Sequence, residues 1–368
     1  MTKRNIVDLP EDLVMEILAR VPTVTLVRLQ STSKRWNVLI EDKRFAEQHF
    51  TNAPRHSLLI MLMTFRVYLV SVDLHTIHNN KVNIISQLRL KDPLSNFLEE
   101  VDICNVFHCD GFLLCTTVDN RLVVSNPCSR DTKWIQPRNF YKKFDIFALG
   151  KSSCNKYKIM RMDEFYYYDR PENINYEIYD FNSNSWRVVG KITDWFIPRC
   201  MDRGMSVNGN TYWLASTNKD LTSSSFLLGF DFSTERFVRV SLPGDHLSDP
   251  VFALAVTRED PKICVAIIQE LHIDVWIATT IESTGAASWS KFLSVELANL
   301  YERICLDSWM NFLVDQKNKV LVYRDGNYWI SNVFLHVVGE DKCIQVDHHD
   351  SVSRCSLVVN YVPTLVHI

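Results

Sequence analysis

The sequence predicts an α+β multidomain chain: a small module of short amphipathic helices followed by a large all-β domain of propeller-like construction. Three observations predict it. Residues 9–40 gather apolar side chains at helical spacing. From about residue 57 the chain turns to aromatic-rich alternating runs broken by polar turns. Finally, Trp134, Trp186, Phe237 and Trp289 recur at intervals of 52, 51 and 52 residues. The helical module is placed at 1–50 and the β domain at 51–368, with the junction near residue 52.

The first helix is expected to start around Pro10, either capped by Asp8 with Glu11 at the third position or with Pro10 itself in the first helical position. Leu13, Val14, Ile17, Leu18 and Val21 then form an apolar stripe opposite Asp12, Glu16 and Arg20. Pro22 disfavours helical geometry at Val21 and ends the run. A second short helix carries Leu26 and Leu29. A third carries Trp36, Leu39 and Ile40 after the candidate caps Ser31 and Ser33. Residues 42–50 read as one more helix with Phe45 and Phe50 on its apolar side.

A unit of roughly 40 residues rarely reaches a self-sufficient core without metal, disulfide or association. The first cysteine is Cys104, so no cysteine staple is available to the module. Each Leu, Ile or Val left in water forgoes about 1.5–3 kcal/mol of burial. The stripe therefore needs a cover. One reading is a helical cap on the β domain, and the other a helix-in-groove docking surface for a second protein.

Leu9-Pro10-Glu11-Asp12-Leu13, Glu16-Ile17-Leu18, Val21-Pro22, Leu26, Leu29 and Ser33-Lys34-Arg35-Trp36 resemble an F-box in order and spacing. The resemblance implies that Leu9, Pro10, Leu13, Ile17, Leu18, Val21, Pro22, Leu26 and Leu29 bind the Skp adaptor of a Skp-cullin-F-box ubiquitin ligase, or pack behind that surface. It makes Trp36, Leu39 and Ile40 internal packing.

Around each recurring aromatic the pattern is an apolar strand, a polar turn and a returning strand bearing the aromatic, as in YDFNSNSWRVV at 179–189 and FDFSTERFVRV at 230–240. A repeat near 50 residues built of hairpins suits a β-propeller blade of kelch-like length. HCDGFLLCTT at 108–117 and VNGNTYWLAS at 207–216 are strands entered through a glycine turn, and 311–325 is a further hairpin. With ten glycines in all, the blades depart from kelch repeats, which carry paired glycines. A β-sandwich with coincidental spacing is the alternative.

Composition excludes several classes. Net charge is −3, and the first 50 residues hold eight Lys/Arg against seven Asp/Glu, too balanced for a nucleic-acid surface. Apolar runs fall far short of the roughly 20 residues that span a bilayer, so no membrane partner is expected. The ten cysteines are scattered without C-x-x-C, as in a soluble intracellular protein, nuclear or cytosolic. Neither Cys104, His108, Cys109 and Cys115 nor Asp347, His348, His349 and Asp350 has zinc-ligand spacing. No cofactor, metal or catalytic motif is expected.

HCDGFLLCTT, NRLVVSNPCSRDTKWI, NGNTYWLA and the C-terminal SLVVNYVPTLVHI resemble the F-box-associated domain of the large plant F-box family. That resemblance implies a propeller-like recognition domain without catalytic residues, acting as the substrate receptor that links a protein client, through Skp, to cullin. Loops at one face are the expected client site. Phe165, Tyr166, Tyr167 and Tyr168, within 160–173, are the leading candidates because tyrosines bury area at interfaces with little entropy loss. Trp195, Phe196, Tyr328 and Trp329 are weaker ones. A glycan- or small-ligand-binding propeller capped by its own helices is the alternative function.

Overall fold

The structure is a computed structural model and describes residues 9–30, 32–52, 58–72, 82–93, 100–142, 145–163, 174–198, 202–217, 225–244, 251–258, 260–269, 272–296, 312–324, 335–339, 342–346 and 355–367. Four short helices come first: α1 (Glu11–Leu18), α2 (Thr23–Gln30), α3 (Lys34–Glu41) and α4 (Lys43–Asn52). Pro10 proves to be the N-cap of α1 and not its first helical residue, with φ −52° and ψ 143° and no side-chain cap; Asp8 lies outside the described residues. Ser33 caps α3, its Oγ accepting from the Trp36 amide at 3.2 Å. Asp42 caps α4 by accepting from the amides of Arg44 and Phe45. The Phe45 bond leads in holding the Asp42 carboxyl below the ordinary carboxylate range.

Among the described residues, twenty-four strands then form six four-stranded antiparallel blades. Blade 2 holds β4 (Ile103–Cys109), β5 (Phe112–Thr117), β6 (Leu122–Ser125) and β7 (Thr132–Ile135). Blade 3 holds β8 (Ile146–Lys151), β9 (Tyr157–Met162), β10 (Ile174–Asp180) and β11 (Ser185–Ile192). Blade 4 holds β12 (Met205–Val207), β13 (Asn210–Ser216), β14 (Ser225–Asp231) and β15 (Arg236–Val240). Blade 5 comprises β16 (Val251–Val256), β17 (Ile263–Gln269), β18 (His272–Ile281) and β19 (Ala287–Glu296). Blade 6 comprises β20 (Phe312–Asp315), β21 (Val320–Arg324), β22 (Leu335–Gly339) and β23 (Lys342–Val346).

Blade 1 is composite. Its outer three strands, β1 (Leu58–Met63), β2 (Arg66–Val72) and β3 (Val82–Leu88), come from the start of the domain, and its innermost, β24 (Cys355–Tyr361), from the end. β24 pairs antiparallel with β1 from Leu58↔Tyr361 to Met63↔Cys355. The inner strands β24, β4, β8, β12, β16 and β20 neighbour one another in that order and return to β24. The ring is therefore closed, and the short inner edges are sheltered around its axis.

The apolar core is divided among the six gaps between blades. Leu113 and Val123 pack with Ile60, Leu62 and Val67 of blade 1, and Leu149 and Ile159 with Leu114 and Val124 of blade 2. Trp213 and Phe230 meet Met160 and Ile178, and Val265 meets Leu227. Phe312 and Leu321 meet Ala266 and Val275, while Val320 and Val322 meet Leu59 and Met61. Middle strands face a neighbouring blade on both sides. This is why FLLC and ICVAII read as continuous apolar runs, not as alternation.

The 51–52-residue period also acquires a cause. Trp134, Trp186, Phe237 and Trp289 occupy the outermost strands of blades 2 to 5, opposite Val123, Tyr179, Phe230 and Ala278. Two of them visibly reach back to the preceding blade. The Trp186 indole N–H donates to the Gln136 carbonyl at 2.8 Å and that of Trp289 to the Ser241 carbonyl at 2.9 Å, both just past the outer strand of the blade before. The recurrence is thus the spacing of outer-strand aromatics that fasten blade to blade.

Two histidines are held neutral. His49 of α4 donates from Nε2 to the Val21 carbonyl at 2.8 Å, and burial lowers its pKa. In β4, His108 accepts the Gly111 amide on Nε2 at 3.0 Å, so its proton sits on Nδ1, and burial pushes it down to about 4. The unfolded chain, with histidines near 6.5, binds more protons than the folded one, so stability falls as pH drops from about 6.5 toward 4. For His108 the loss reaches up to about 3 kcal/mol. Urea titrations at pH 7, 5.5 and 4.5 should show this decline. His108→Gln, which keeps an acceptor without titrating, should flatten it, and an unchanged slope would exclude His108 as its source.

Candidate functional site at two opposed faces

In a blade whose strands run A–B–C–D, the A–B and C–D turns share one face of the disc, and the B–C turns and D–A connections share the other. The chain enters at Leu58 and leaves β24 at Tyr361 on the first, proximal face, which carries short turns such as Asp110-Gly111 and Asn208-Gly209. Strand ends such as Glu296 and Phe312 lie on the opposite, distal face.

On the proximal side, α1 divides its stripe into two rows. Val14 and Leu18 face inward, with Leu26, Leu39, Ile40 and Phe45, in a core against which Leu9, Met15, Val21, Leu29 and Trp36 are partly buried. Leu13 and Ile17, at 48% and 44% exposure, face outward beside the exposed Pro10. Pro22 is half-buried between α1 and α2.

The inner row is not closed by helices alone. Leu365 joins this core at 3% exposure, and the Thr23 hydroxyl donates to the Pro363 carbonyl at 3.4 Å. The same segment is clamped to blade 2. Asn126 Nδ2 donates to the Thr364 and Val366 carbonyls at 3.1 and 2.9 Å, and His367 meets Asp131 at 2.5 Å. Gly111, at φ +86°, lies so close that a Cβ there would stand 2.5 Å from the Thr364 side chain. The need for a cover, read from size and composition, is thus met in part by the chain itself: the 362–367 strap supplies one wall, and the Leu13/Ile17 row stays uncovered.

Phe165 to Tyr168, in the β9–β10 connection, lie outside the described residues, as do Tyr328, Trp329 and Asp347 to Asp350. At the base of that connection stands a buried ionic cluster. The Arg161 guanidinium donates to Asp145 Oδ2 and Glu177 Oε1, each at 2.7 Å, with Asp163 at 3.5 Å and the Tyr141 ring beneath. Burial raises the Asp145 pKa even so. Trp195 and Phe196, weighed as client contacts, are core residues between blades 3 and 4.

Cys104 sits against Thr116, while Cys115 is enclosed and its thiol pushed up to about 12. Among the described residues no three His, Cys, Asp or Glu stand together as metal ligands, and no helix is long and apolar enough to cross a membrane. The strap, the Arg161 cluster and the distal Phe65 and Val118 escaped sequence reasoning. Only Phe65 had a local signal available: a tight turn between two apolar runs that lacks the usual Asn-Gly.

Family comparison agrees with this two-part construction. Residues 6–48 match the F-box domain and residues 58–368 the F-box associated beta propeller domain. The chain is 99% identical over its whole length to the whole of the Arabidopsis thaliana F-box protein At4g10190. It is 50% identical to At3g21130 of the same plant, over 100% of this chain and 99% of that one. A chain from a nidogen/laminin complex aligns over 84% of this chain and 99% of its own at 11% identity and a TM-score of 0.46, too loosely to bear on anything further. The chain belongs to the plant F-box proteins whose second domain is the F-box-associated β-propeller.

Proposed function

We propose that the chain is the substrate-receptor subunit of a Skp-cullin-F-box ubiquitin ligase, docking the Skp adaptor and through it cullin, and recruiting a protein client for ubiquitination. The observation that carries this reading is the outward Leu13/Ile17 row on a helical module whose inner core is already sealed. A mere cap would turn both rows inward. The strap contact at Leu365 is what the capping alternative requires, yet it leaves this row in water. F-box proteins are in general non-catalytic, so isopeptide chemistry belongs to other subunits and this chain contributes proximity.

Client loops on the far side of the disc fit this role. Strands such as β1 and β2, of 6 and 7 residues, at about 3.3 Å per residue put the two faces roughly 20 Å apart, leaving both free at once. In pull-downs with recombinant Skp adaptor, Leu13→Asp/Ile17→Asp should lower recovery at least tenfold with the thermal melting profile unchanged. The variant Leu9→Ala/Pro10→Ala/Leu13→Ala should lose binding likewise. Undiminished adaptor binding by both variants would sink the receptor reading.

A further inference from the structure

One distal turn puts two consecutive residues with side chains, one of them aromatic, in left-handed geometry. Thr64 and Phe65, the two residues joining β1 to β2, both take positive φ, 45° and 62°. Hairpin turns of this form normally use Asn, Asp or Gly, as at Asp110-Gly111 and Asn208-Gly209, because a left-handed residue with a Cβ costs about 1–2 kcal/mol. Burial does not offset the cost at Phe65, whose side chain leaves the residue 50% exposed. Nothing among the described residues accounts for an aromatic ring there.

A second exposed apolar residue stands beside it. Val118, 52% exposed, begins the β5–β6 turn of the next blade. Both turns are fastened to one short segment: the Ile103 amide donates to the Phe65 carbonyl at 3.0 Å, and the Val118 amide to the Asp102 carbonyl at 2.9 Å. Phe65 and Val118 therefore flank Asp102 on a hydrogen-bonded base. Arg66 stiffens it by reaching Asp102 at 2.5 Å and the Val101 carbonyl at 3.4 Å.

Two carboxylates beside this pair are more exposed than the cations they meet. Asp102 and Asp119 side chains are 51% and 56% exposed, whereas their partners Arg66 and Arg121 are 29% and 24% exposed. Arg121 is further drawn down by a bidentate bond to Asp92 and by the Trp134 ring at 4.7 Å. Arg89, at the outer edge, pairs with Glu100. With the exposed Lys91, bridged to Glu100, and the exposed Arg89 counted, four cations balance four carboxylates here, so Asp102 and Asp119 stand out by their exposure beside the two apolar side chains and not by net charge.

We propose that Phe65 and Val118 form a docking surface for a segment of the ligase's protein client that presents a large apolar side chain flanked by Lys or Arg. The proposal rests on the receptor reading and names the chemistry of what that receptor takes. Its geometry is apt: the surface lies on the distal face, away from the helices and the strap. Rigid, exposed aromatic anchors are what interface hot spots use, and the nearby carboxylates select against acidic flanks.

The full chain is to be applied to immobilised synthetic peptides of about 12 residues, long enough to lay a short extended segment across both turns, bearing a central Leu, Phe or Trp flanked by Lys/Arg, by Ser, or by Asp/Glu. Binding should be at least tenfold stronger to the basic-flanked set and fall at least tenfold in Phe65→Gly and in Val118→Ser. Phe65→Gly should melt no lower than the parent, since glycine takes φ 62° freely; should it melt lower, Val118→Ser decides alone. No preference for basic flanks, or undiminished binding in Val118→Ser, overturns the proposal. So does sedimentation showing a dimer that Phe65→Gly disperses, because the surface would then join two copies. A Leu13→Asp/Ile17→Asp chain that loses the adaptor yet keeps the peptides separates the two readings, and a parent that binds peptides but no adaptor sinks only the receptor.

Discussion

A chain ending at residue 354 loses the cooperative fold of the whole propeller. Removing β24 strips β1 of its partner along Leu58 to Met63, six residues that are all buried in the closed ring. It removes Tyr361, wholly buried, and Asn360, whose side chain donates to the Thr257 and Arg258 carbonyls of blade 5 at 3.4 and 2.8 Å. The inner ring then breaks between β20 and β4. Losses of this extent match the ~5–15 kcal/mol that stabilises a typical protein, and the bared apolar edge invites aggregation. The measurement is a urea transition followed by circular dichroism, with dye binding to exposed apolar surface. A sharp transition at the parent midpoint would show that β24 is dispensable. Leu365→Ala is the milder companion: it should cost about 2–5 kcal/mol, felt mainly in the helical module.

Arg161→Ala is expected to destabilise by about 3–5 kcal/mol, because it leaves Asp145 and Glu177 buried without their shared cation. Side-chain exposures of 7%, 0% and 9% for Arg161, Asp145 and Glu177 leave water little access to compensate. The melting temperature should drop by on the order of 10 °C. pH supplies the discriminating readout. With the arginine gone, the Asp145 carboxyl, already raised by burial, holds its proton more tightly still in the folded than in the unfolded state, so the variant should lose less stability than the parent as pH falls from about 7 toward 5. The parent should weaken over that range, through His49 and His108. A variant with the parent's pH profile would show that the cluster carries no such burden. Asp145→Asn/Glu177→Gln in the Arg161→Ala background should restore much of the loss.

Much of the architecture was legible because repetition leaves a local trace. Trp134, Trp186, Phe237 and Trp289 take the same place in four consecutive blades, so their spacing exposed the period. Blades 1 and 6 lacked that trace. Blade 1 is assembled from the two ends of the domain, and a pairing such as Leu59↔Asn360 has no signature in sequence. Scarce glycine signalled irregular blades, and the structure shows why they still turn: Asn120, Asn155, Asn184 and Asn208 take positive φ in its place.

The site was half legible. Helical periodicity marked Leu13, Val14, Ile17 and Leu18 as one stripe, since neighbouring rows differ by only about 100° around a helix. Which row faces outward depends on packing partners that period cannot reveal. Likewise, Phe196 in WFIP is only a weaker contact candidate by sequence, since such aromatics are more often core, and its bridge to Ser216 places it there. Arg161, Asp145 and Glu177 are spread over two strands and a loop, and only blade topology brings them together.

The strap has a temporal meaning. A ribosome makes Thr23 340 residues before Pro363, so the helices leave the tunnel long before the wall at Leu365 exists. Six blades must be synthesised in between, and their final strand must be threaded home. A nascent or prematurely terminated product therefore carries the outward row on an unfinished foundation. The inner core of the helices is thus completed only after the strand that closes the ring of blades.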